Sequence, residues 1–94
     1  MNIEQIKNII RDNFELNSFT YVGISKQRIY INDIVGNKIF NSNENQNGYL
    51  IFINPYNFVN WSHKCIYWFI TESGEIIKND NCEWYPSIEL DKFL

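Results

Sequence analysis

One histidine, two cysteines, two prolines and four glycines are all that this 94-residue chain has of the residue types that build metal sites, disulfide frameworks and phosphate-binding loops. Two cysteines, Cys65 and Cys82, are too few for a disulfide-stapled scaffold, and they stand without the paired C-x2-C or H-x3-H spacing of a structural zinc site. No glycine-rich phosphate loop, dinucleotide fingerprint or serine-centred nucleophile elbow occurs. No stretch approaches the ~20 consecutive apolar residues of a membrane span, and the charged start MNIEQIKNIIRDNFEL lacks the apolar core of a signal peptide. A single cytoplasmic domain over residues 1–94, with no cofactor and reduced thiols, is the expectation. Eight basic residues spread singly against eleven acidic ones leave a net charge of −3, the wrong sign for binding nucleic acid directly.

Aromatic side chains, by contrast, are plentiful: seven Phe, six Tyr and three Trp. Each ring buries roughly 150–250 Å², so a few of them supply much of a small core. A hydrophobic share of 45% argues against disorder. Fifteen asparagines and sixteen isoleucines fit AT-rich coding of a bacterial or phage kind.

Residues 3–16 place Ile3, Ile6, Ile10 and Phe14 at spacings of three and four, with Glu4, Lys7, Arg11 and Glu15 largely on another face. This is an amphipathic helix, capped by Asn2. Short β-rich runs follow: 19–24, then 28–35, with a Gly36-Asn37 hairpin turn after it. The apolar-free stretch 41–48 reads as a loop. YLIFIN (49–54) and CIYWFIT (65–71) are apolar on both alternating faces and should be strands covered on both sides, the first ended by Pro55. A turn centred on Ser73 leads into 75–78. Pro86 and Ser87 open a short C-terminal helix with Leu90, Phe93 and Leu94 on one side. The class is α+β: an N-terminal amphipathic helix on an antiparallel sheet of about five strands.

The densest chemistry lies in NWSHKCIYWF (60–69), where His63 and Cys65 stand two residues apart. On a strand that spacing sets Cβ atoms about 7 Å apart, awkward for a thiolate–imidazole pair, and no oxyanion device follows. Catalytic and metal sites are therefore assigned as none, although His63, Cys65, Cys82 and Asp80 would be the residues of a zinc site if one existed. The stretch reads as a loop, holding Trp61, that closes over the end of a core strand. In that strand Ile66, Trp68 and Ile70 share one face and Cys65, Tyr67 and Phe69 the other. Counting from Ser73 puts Cys65 opposite residue 81 or 82, so the two thiols are expected to be cross-strand neighbours that oxidation would join.

Charge is distributed unevenly. Residues 1–71 carry a net +1 and residues 72–94 a net −4. Glu72, Glu75, Asp80 and Glu83, with Trp84 and Tyr85 beside them, compose a partner-binding surface: rings for buried contact, carboxylates for steering a basic protein. In size, acidity and element mix, and in no motif, the chain resembles small acidic immunity proteins that neutralise bacterial toxins and phage inhibitors of host defence. The resemblance implies a non-enzymatic inhibitor that occludes a basic toxin or effector. Two other classes compete: a small-molecule-binding or enzymatic domain built around residues 55–65, and a homodimeric accessory protein.

Overall fold

The computed structural model describes residues 1–18, 20–33, 40, 45–55, 65–82 and 88–93, the side chains of 33 and 80–82 excepted. Its elements are a helix α1 (Ile3–Asn13), strands β1 (Tyr21–Ser25) and β2 (Ile29–Tyr30), a 3-10 turn (Ile31–Asp33), and strands β3 (Asn47–Asn54), β4 (Cys65–Thr71), β5 (Ile76–Cys82) and β6 (Leu90–Lys92). The strands form one antiparallel sheet in the order β5-β4-β3-β1-β6, with β2 also paired to β3. The class is α+β, as the sequence pattern requires.

Local chemistry starts the helix. The Asn2 side chain accepts from the Gln5 amide at 2.9 Å and the Gln5 side chain accepts from the Asn2 amide at 2.8 Å, a reciprocal capping box that satisfies two of the helix's orphan donors. Glu4 lies in the positive first turn and Arg11 in the negative last one. The helix stops at Asn13, three residues short of the expected end, because Phe14 turns to extended backbone. Phe14 still packs inward, its ring edge-on to Trp68 at 6.0 Å between centroids. Ile6 and Ile10 are fully buried, whereas Ile3, at the head of the same stripe, remains 37% exposed.

β3 and β4 lie side by side in the middle of the sheet and bury side chains on both faces. On the helix side, Ile51, Ile53, Trp68 and Ile70 meet Ile6, Ile10, Val22 and Ile24. On the other side, Leu50, Phe52, Cys65, Tyr67 and Phe69 meet Ile31 and Phe40, with Tyr21, Ile77, Ile88 and Leu90 partly buried against them. The face assignment of β4 thus follows the sequence alternation residue for residue, and β4 begins and ends at the expected positions.

Other elements differ from expectation as well, and β5 runs on to Cys82, four residues past its expected end. β3 starts at Asn47, two residues inside the stretch read as a loop. Gly48 makes this entry feasible, since a Cβ there would fall 2.1 Å from the Ile70 carbonyl oxygen. The run 28–35 is not one strand: two residues pair with β3, and the chain then winds into the 3-10 turn that carries Ile31 into the core. Residues 34–39, with the Gly36-Asn37 turn, lie outside the described residues.

The described residues of the C-terminal segment, 88–93, are not helical. Leu90–Lys92 pair antiparallel with β1, and the Phe93 amide donates to the Val22 carbonyl at 2.7 Å. A helix of eight residues gains little by itself, whereas a strand here satisfies the outer backbone groups of β1. Strand alternation also serves both clusters, with Leu90 packed on one side and Phe93 on the other. Gly23 admits this crossing: its absent Cβ would sit 2.8 Å from the Leu90 side chain.

Because Ile10 is fully enclosed between helix and sheet, Ile10→Ala should lower stability by about 2–5 kcal/mol in denaturant unfolding. A change within about 0.5 kcal/mol would contradict the packing of α1 on this face.

Candidate binding surface

The acids singled out from the sequence start at the β4–β5 turn. Thr71 closes it: its amide donates to the Glu75 carbonyl at 2.9 Å, its carbonyl accepts from the Gly74 amide at 2.9 Å, and its hydroxyl accepts from the Glu75 amide at 3.1 Å. Gly74 sits at φ +89°, a conformation that side chains rarely adopt. The turn thus presents two carboxylates, and they have different fates.

Glu72 points into the molecule's own charges. One carboxylate oxygen accepts from the Met1 ammonium at 2.7 Å, and the other lies 2.6 Å from Arg28 Nε. The Arg28 contact lacks hydrogen-bond alignment at that oxygen, so the guanidinium acts there chiefly by its charge. Arg28 also donates to the Met1 carbonyl at 3.3 Å. The hydrogen bond from the Met1 ammonium is the largest cause holding the Glu72 carboxyl below its ordinary value; partial desolvation opposes it, and the nearby Arg28 charge assists. The Glu72 amide, meanwhile, donates to Asn47 at the start of β3. Glu72 is therefore a tie between chain start, β1–β2 connection and β4–β5 turn. Glu75, three residues on, is exposed.

Asp80 belongs to β5 near its far end, roughly 15 Å along the strand from the turn at about 3.3 Å per residue. Its side chain, and residues Glu83, Trp84 and Tyr85 entirely, lie outside the described residues. Glu89 and Asp91 go to the opposite margin of the sheet with β6, where Asp91 faces Lys26 at 3.8 Å. The described acids of the C-terminal third are thus divided between the two margins of the sheet, and among them Glu72 and Asp91 face internal cations.

The sequence reading missed Arg28 and the Met1 ammonium as partners of Glu72, because no local pattern links positions 44 and 71 residues apart. It also missed Lys78, whose ammonium stands 5.0 Å from the centre of the Trp68 ring. That pair was accessible by counting, since Trp68 and Lys78 are equidistant from Ser73 and face each other across β4 and β5. Cys65 and Trp68 are buried in opposite clusters. His63, Trp61 and the rest of 56–64 lie outside the described residues, as does the candidate zinc constellation that needs them. No protein-family model, curated protein or solved structure matches this chain.

The Glu72 tie has a pH signature. A carboxyl with a depressed folded value stabilises the fold fully above its ordinary value, near 4.5, and loses that contribution as pH falls through the depressed value. Glu72→Gln should accordingly be less stable than the parent at neutral pH, with the difference shrinking as pH falls below 4.5, disappearing once pH is below the depressed value, and smaller in high salt. Urea unfolding of both proteins across that range is the check; parallel curves at every pH would contradict the tie.

Proposed function

We propose that this chain is a small non-enzymatic binding protein that occludes a basic protein partner, in the manner of bacterial immunity proteins and toxin inhibitors. The observation that carries the reading is the position of β5. It forms one margin of the described sheet, and β4 is its one strand neighbour among the described residues. Exposed Glu75 stands at its head, and Asp80 leads from its other end towards Glu83, Trp84 and Tyr85 in the sequence. Net negative charge suits a protein that must meet a basic surface quickly. Burial of Cys65, Tyr67 and Trp68 in two packed clusters also favours binding over catalysis, since it commits those side chains of β4 to the interior.

Within this reading Glu72 holds the turn in shape, and Glu75, Asp80 and Glu83 steer. Trp84 and Tyr85 supply buried contact. Co-expression with the product of the neighbouring gene provides the partner. Neutralising Asp80 and Glu83 together should slow association and flatten its salt dependence. Neutralising Asp91, on the far margin beside Lys26, should leave association unchanged. Trp84→Ala should raise the dissociation rate by a hot-spot-sized amount, about 2 kcal/mol or more, with the isolated fold intact. A basic partner whose binding ignores Asp80, Glu83 and Trp84 but responds to Asp91 would move the interface to the β6 margin and overturn this assignment.

A further inference from the structure

Both cysteines of the chain occupy facing positions on neighbouring strands. The β4–β5 ladder is symmetric about Ser73 from Ile70↔Ile76 to Tyr67↔Asn79, and continuing that register would set Cys65 opposite Asn81. The register instead slips by one residue beyond Tyr67, and the next pair is Cys65↔Cys82. The extra residue on β5 is the form of a β-bulge, a place where a ladder is locally loosened and more strongly twisted.

We infer that Cys65 and Cys82 are a redox-responsive pair that closes to a cross-strand disulfide and stitches the end of β5 to β4. Facing Cα atoms on antiparallel strands are about 4.5–5.5 Å apart, inside the span of roughly 4.4–6.8 Å that a disulfide bridges. A bulge loosens the ladder locally and accommodates the small adjustment that closing such a bond needs. Cys65 is 3% exposed among Phe52, Tyr67 and Phe69, so it serves as the resolving thiol rather than the first to react. The oxidant is a small disulfide of the glutathione class. Its sulfur–sulfur bond is attacked by the Cys82 thiolate, giving a mixed disulfide and one released thiol. The Cys65 thiolate then attacks the Cys82 sulfur, forming the internal bond and releasing the second thiol. Both protein thiols lose a proton, and the two electrons reduce the small disulfide to two thiols. The bond would anchor the strand end from which residues 83–85 continue; the chemistry itself is independent of any partner.

The test equilibrates the full-length protein in glutathione buffers from reducing to oxidising, quenches with acid, and labels remaining thiols with a maleimide in denaturant. Intact mass should show one conversion, from two adducts to none, with two hydrogens lost, no glutathione retained and the oligomeric state unchanged. The oxidised protein should unfold at higher denaturant concentration than the reduced one. Ile66→Cys in a Cys65→Ser background moves the thiol to the helix-side face of β4, and should make the internal bond at least about tenfold harder to form than in the parent. Two adducts at every potential, a terminal glutathione adduct, or bonds only between molecules would each overturn the inference. Equal oxidation of the face-swapped variant would overturn the role of register.

Discussion

Everything in this fold depends on a pair of central strands that are apolar on both faces. β3 and β4 present Ile51, Ile53, Trp68 and Ile70 to one side and Leu50, Phe52, Tyr67 and Phe69 to the other, and these eight are buried. Each such side chain contributes about 1.5–3 kcal/mol when fully removed from water, a large amount beside the 5–15 kcal/mol typical of net stability. Neither face can stay wet. On one side α1 answers with Ile6 and Ile10; on the other, Ile31, Phe40, Ile88 and Leu90 gather from short, irregular or terminal pieces. The 3-10 turn and β6 are consequences of that second demand.

The same constraint decides what the chemically suggestive residues do. Cys65, Tyr67 and Trp68 belong to the strand that must be covered, and all three are buried. Trp68 is enclosed by Phe14 at its edge and by Lys78 across the strand pair, an arrangement in which the ring's quadrupole meets a ring edge and a cation. Among the described residues, exposed Glu75 and Asp91 lie at the margins of the sheet. There the order β5-β4-β3-β1-β6 separates the consecutive strands β5 and β6, so Glu75 and Asp91 end up at opposite margins of the sheet. Charge counted along a chain is a poor guide to charge on a surface when consecutive strands are not adjacent.

Legibility in the sequence followed how local the governing physics is. The strand Cys65–Thr71 and its two faces were readable because alternation is a property of the residues themselves. The capped start of α1 was readable for a similar reason, since Asn2 lies in contact range along the chain. The start of β3 was not, because Asn47 and Gly48 look like loop residues until β4 comes alongside and excludes any side chain at position 48. Leu90 and Phe93 suit a helical turn as well as a strand, and only the open side of β1 decides between them. For the candidate surface, the positions of Glu72 and Glu75 on one turn were legible from Ser73, while the internal engagement of Glu72 was not: Arg28 and the Met1 ammonium reach it from distant parts of the chain.

Native-state hydrogen exchange addresses the central claim most directly, because it reports the opening of each strand separately. If doubly covered β3 and β4 are the foundation of the molecule, the amides of Leu50–Ile53 and Tyr67–Ile70 exchange only through global unfolding. Their exchange free energies then equal the stability measured with denaturant, while β2 and β6 exchange more readily. Fast exchange of β4 amides through local opening, with α1 still protected, would contradict the account.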